Sequence, residues 1–150
     1  MWLGSFFFFA AVVAPAAFHV LPSRTMAGQI VSHSLYGLHW IGITCGLLFL
    51  LASVLMALFG GGQSPFQLRD LLIVLMMAIT LTAHFGIEHK MERLRDQMGL
   101  VENVPHDDPR RVEFNRMHVW STRMEGSVFV LGALLMFLMA REQGRGERRY

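Results

Sequence analysis

The chain has 150 residues, 53% of them hydrophobic and 16% charged, with a net charge of +2. That charged fraction is well below the roughly 25% of soluble domains, so the composition argues for an integral membrane protein. The small net charge, with no stripe of basic residues interleaved with aromatics, excludes a nucleic-acid partner. The single cysteine, Cys45, excludes an intrachain disulfide and a multi-cysteine zinc site.

Four apolar segments follow in chain order, with spans at about 2–21, 29–59, 67–88 and 117–140, each long enough to cross a bilayer as a helix. The first contains "AVVAPAA", which looks like a signal-peptidase site. No basic stretch precedes it and Pro15 interrupts the run, so it reads as a retained span kinked at Pro15. The second ends at the breaker "GGGQSP". The third continues as the charged, amphipathic "EHKMERLRDQM". The fourth begins at "DDPRR", where Asp108 can cap a helix and Pro109 suits its first turn. The expected fold is all-α: an integral membrane four-helix bundle, up-down-up-down. Its third and fourth helices extend beyond the membrane on one side. One domain covers residues 1–141, and residues 142–150 form a flexible polar tail.

The odd-numbered loops, with Arg123 at their membrane edge, carry eight Lys and Arg residues. The other side carries five, Arg69 and four tail arginines. This bias puts the 88–116 loop in the cytoplasm; the expected location is a bacterial inner membrane. Within the four-span topology all seven histidines fall at the loop side: His19, His33, His39, His84, His89, His106 and His118.

Helical phase sorts them. On the fourth helix Arg111, Asn115, His118, Thr122 and Glu125 fall within about 80° of one another. On the third, Thr80, His84, Glu88, Met91 and Arg95 form a similar stripe, and His89 points away. On the second, His33, Tyr36, Trp40 and Thr44 share a face, with His39 about 120° off it. Three polar faces near one end of a bundle are the setting in which helical proteins build metal and cofactor sites. The expected site is therefore His33, His84, Glu88, His118 and Glu125, supported by Tyr36, Thr80, Asn115 and Thr122.

Glu125 lies about 22 Å along the helix from Ala140, about 5–10 Å inside a hydrocarbon core. A carboxylate at that depth calls for a partner. A helix-initiating carboxylate paired with Arg111, Arg123 or a lipid headgroup accounts for it equally well. His19, His39, His89 and His106 are explained by solvation or interface placement. The 11 methionines are explained as packing filler.

The segment "FNRMHVWSTRMEG" resembles the last-helix motif of the transmembrane protein 205-like family, a membrane domain of unknown function. Phe114, His118 and Ser121 match its Phe, His and Ser. The first span, "GSFFFFAAVVAPAAFHVLP" followed by Ala27 and Gly28, and the third, "HFGIEHKMERLR", are similar to the same family. The family pattern often has Asn four residues after that Ser, where this chain has Glu125. The resemblance implies a four-helix membrane protein with no established enzymology. Mammalian relatives are linked to platinum-drug resistance, which hints at handling of metals or soft electrophiles. At fold level the chain is also similar to copper-resistance D-type membrane domains and to a haem-binding oxidase of haem synthesis.

Three functions are consistent with these residues. The first is non-enzymatic binding or transport of a small cation, a proton or a transition metal, at the His/Glu face. The second is a haem b redox protein using His84 and His118 as axial ligands. The third is an accessory span bundle whose 88–116 loop docks a protein partner. No P-loop, G-x-G-x-x-G or G-x-S-x-G supports a conventional enzyme.

Overall fold

The computed structural model describes residues 2–59 and 67–146, with side chains to Arg141. The breaker at 60–65 lies outside the described residues, as do residues 147–150 of the polar tail. Four helices carry the chain: α1 Trp2–Val20, α2 Arg24–Phe59, α3 Leu68–Met98 and α4 Pro109–Gly146. No strand occurs among the described residues. All four helices are long and apolar enough to cross a membrane, as in a multi-pass membrane protein. α2 and α3, about 54 and 46 Å at 1.5 Å per residue, exceed the roughly 30 Å hydrocarbon core.

The helix ends follow from local chemistry. Leu21 precedes Pro22 and is extended (φ −82°, ψ 141°), because proline's ring disfavours the helical conformation of its predecessor. Ser23 then starts α2, its Oγ accepting from the Met26 N–H at 3.3 Å. α3 opens with a capping box in which the Gln67 N–H donates to Asp70 Oδ2 at 3.0 Å. It closes at Gly99, whose φ of 66° suits glycine and whose N–H donates to the Arg95 carbonyl at 2.9 Å. Asp108 caps α4, accepting from the Arg110 N–H at 2.8 Å.

Two helices contain a π turn, Phe9–Val13 in α1 and Ala83–Glu88 in α3. In α1 the cause is Pro15: it donates no hydrogen bond, and its ring displaces the carbonyl of Ala11, inside that turn. The α3 turn has no proline or glycine pair to account for it. Single π turns occur often at functional sites, and this one carries His84 and Glu88.

The helices approach closely where glycine allows it. The Trp2 ring packs on Gly42, and its Nε1–H donates to the Leu38 carbonyl at 3.0 Å. Met77 lies against Gly46, and Leu3 against Gly132. Phe6, Phe9 and Leu35 form a small core, flanked by Val13, Val31, Leu38 and Phe129. Many large apolar side chains instead face outward, among them Leu48, Leu51, Leu58, Leu71, Val130 and Phe137. That is the reverse of a soluble bundle.

The α3–α4 connection is pinned to the start of α2. Buried Thr25 accepts from the Val101 N–H at 3.0 Å and donates to Glu102 Oε2 at 2.5 Å. Hydrogen bonds from Ser23 and Thr25 hold the Glu102 carboxyl down at about 2. Arg110 holds Asp108 down at about 2 as well, through side-chain and backbone hydrogen bonds. Lowered carboxylate values stabilise the fold above the ordinary range, and this contribution is lost as pH falls toward 2. Thr25→Val is expected to move the Glu102 titration midpoint up from about 2, but only part of the way because the Ser23 hydrogen bond remains, and to speed exchange of the Val101 amide. Amide and carboxyl NMR in detergent would read both, and an unmoved midpoint would exclude Thr25 as the cause.

Candidate functional site

α2 turns its Leu35, His39 and Ile43 face inward, a spacing of one helical turn per step. α3 meets it with Thr80, Ala83 and His84. His39 and His84 are both buried, 3% and 5% exposed, and their rings lie edge to face at 6.1 Å between centroids. Glu88 projects between them. Its Oε2 is 2.6 Å from His84 Nδ1, within hydrogen-bond distance, and its Oε1 is 3.2 Å from His39 Nδ1. The second contact has the distance of an ion pair but lacks hydrogen-bond geometry. Both atoms, His39 Nδ1 and Glu88 Oε1, are buried and have no hydrogen-bond partner. Leaving a buried polar group unsatisfied costs about 1–3 kcal/mol.

One ligand atom from each of His39, His84 and Glu88 lies within 4.8 Å of the others. A tetrahedral zinc ion with bonds near 2.0–2.1 Å sets its ligand atoms about 3.3 Å apart. Two imidazoles and a carboxylate are a borderline donor set, suited to zinc and to other divalent transition metals. Tyr36 and Phe85 flank the His84 ring, each with its ring centre 4.9 Å away, and Trp40 stands at 6.1 Å.

An open cleft of about 600 Å³ adjoins this group. His33, Tyr36, Glu88, His118, Thr122 and Glu125 all line it. His33 and His118 are exposed, and Thr122 donates to the His118 carbonyl at 2.9 Å. The two residues expected as haem ligands are therefore placed differently: His84 is buried against Glu88 and His118 is exposed along the cleft. Asn115 is exposed and does not line the cleft. Thr80 is buried, donates to the Met76 carbonyl at 3.0 Å, and lines a small inner pocket with His39 and Glu125.

Glu125 accepts a hydrogen bond from the buried Ser121 hydroxyl at 3.1 Å. Neither arginine offered as its partner pairs with it among the described residues. Arg123 lies over the Trp120 ring at 5.7 Å, and Arg111 donates to the Val104 carbonyl.

Helical phase alone misplaced His39. Polarity does not mark the buried face of α2: Tyr36, Trp40 and Thr44, on its polar face, are exposed. The signal that finds His39 is apolar: Leu35 and Ile43, one turn to either side, are the buried residues of the helix.

Among known proteins, a family model described as a domain of unknown function (DUF4149) matches residues 1–99, two thirds of the chain. No curated protein and no solved structure matches it. The matched region includes His39, His84 and Glu88 and stops before α4 with Ser121 and Glu125.

Proposed function

Because the chain belongs to the DUF4149 family, whose function is unknown, we propose its function from its own geometry: a multi-pass membrane protein that binds a divalent transition-metal ion at His39, His84 and Glu88. The observation that carries this is the buried pair His39 Nδ1 and Glu88 Oε1, 3.2 Å apart at ion-pair distance with no hydrogen bond made by either atom. A bound cation would satisfy both at once and would replace the proton shared by Glu88 and His84. Ionisable groups within a span are costly and default to a functional role. The outward apolar surface of all four helices supports insertion, and the Lys/Arg bias favours a cytoplasmic 88–116 loop. The motif-level likeness to the transmembrane protein 205-like family fits the same architecture.

Metal analysis of the purified full chain tests the reading. One equivalent of Zn²⁺ or Co²⁺ is expected in the wild type and a small fraction of that in Glu88→Gln, which keeps the shape but loses the charge. Metal-free wild type after dialysis against micromolar Zn²⁺ would refute it.

A further inference from the structure

We infer that the cleft beside the His39–His84–Glu88 group is a one-sided loading port for a hydrated divalent cation, with Glu125 as its inner threshold. The inference rests on the metal reading above and adds the direction of access and the form in which the ion arrives.

The cleft's size suits a hydrated ion. About 600 Å³ holds on the order of 20 waters at roughly 30 Å³ each, so the ion need not shed its shell at the mouth. The charge suits a cation. Four carboxylates line the cleft, Glu88, Glu92, Asp96 and Glu125, against the guanidinium of Arg95. That guanidinium is held to the wall, donating to Ser32 Oγ at 3.2 Å and lying 5.7 Å from the Phe114 ring centre. A cleft whose carboxylates outnumber its cations concentrates cations.

Glu125 is shared by the cleft and by the small pocket behind it that holds His39. Its hydrogen bond to Ser121 keeps the carboxylate at this boundary. An ion passing inward exchanges water for the Glu125 carboxylate and then for the buried imidazoles.

Beyond that point the path ends. The inner pocket is otherwise walled mainly by apolar residues such as Phe6, Ile79 and Val128. Residues 40–59, 71–83 and 126–140 contain no Asp, Glu, Lys, Arg or His. The next pocket toward the far side offers only the Cys45 thiol, the Met76 and Met77 thioethers and the Thr80 hydroxyl, with no carboxylate or imidazole to take up a divalent ion of the kind bound at His39, His84 and Glu88, and moving such an ion through hydrocarbon without one is costly. The site fills and empties through the same mouth.

The test uses the full chain with Cys45→Ala and Thr122→Cys, which leaves one thiol in the cleft. The protein is placed in phosphatidylcholine vesicles and Co²⁺ is added outside. The fraction of protein acquiring Co²⁺ absorption bands should equal the fraction labelled from outside by a membrane-impermeant cationic thiosulfonate. Prior labelling should slow loading at least tenfold. In detergent, Glu125→Gln should also slow loading at least tenfold while reaching wild-type final occupancy. Loading of both orientations, cobalt accumulating in the vesicle lumen, or wild-type loading kinetics in Glu125→Gln would each overturn the inference. Loss of final occupancy in Glu125→Gln would do so too, making that residue a ligand. In detergent both ends are open, so failure to bind Co²⁺ there refutes the metal reading itself. Binding in detergent with a mismatch in vesicles refutes the one-sided port alone.

Discussion

His39→Ala is expected to lower Zn²⁺ affinity by more than about 100-fold, because even partners outside the coordination sphere cost 10–100-fold at metal sites. His84→Ala should match it. His33→Ala and His118→Ala should leave equilibrium affinity within about tenfold, since both residues line the open cleft and neither belongs to the buried group. The contrast separates two accounts of the same polar end. If polarity and helical phase chose the ligands, His33 and His118 would matter and His39 would not. If burial chose them, the order reverses. Isothermal titration of the four variants in one detergent reads the outcome, and equal losses in His33→Ala and His39→Ala would reject the burial account.

Gly42→Ala is expected to destabilise the bundle by about 1–3 kcal/mol, the usual cost of overpacking. An added Cβ would lie 2.7 Å from the Trp2 ring, which is held by its hydrogen bond to the Leu38 carbonyl and cannot rotate away without breaking it. Gly37 supplies the control on the same helix. Nothing lies within 4 Å of a Cβ there, so Gly37→Ala should be neutral or gain up to about 1 kcal/mol from helix propensity. Melting temperatures in one detergent should therefore move in opposite directions, and a shared direction would show that propensity rather than packing dominates. Trp2 also lines the inner pocket with His39 and Glu125, so Gly42→Ala should weaken metal binding as well.

The helices were legible because their signals are local. Pro22, Gly99, Asp108 and Pro109 act within a few residues of themselves, and an apolar run of about 20 residues specifies a span-length helix by its own hydrogen-bonding needs. That His33, Glu88, His118 and Glu125 share one cleft was legible as well, since counting along four spans puts them near one end. The partner of Glu125 was not. Arg123 and Arg111 stand close in sequence, but one lies over Trp120 and the other reaches the Val104 carbonyl. Ser121, present in the sequence only as part of a family motif, takes the contact.

By itself the sequence determined four span-length helices, their ends, and a histidine- and carboxylate-rich end. Only the tertiary structure decided which histidines meet. In water a polar stripe marks the outside of a helix, and in a membrane it is expected to mark the inside. α2 follows neither rule, because its inner face is set by the fit of Leu35, His39 and Ile43 against α1 and α3. The π turn at Ala83–Glu88 carries both His84 and Glu88, and the packing of α2 on α3 sets His39 on the other side of that carboxylate.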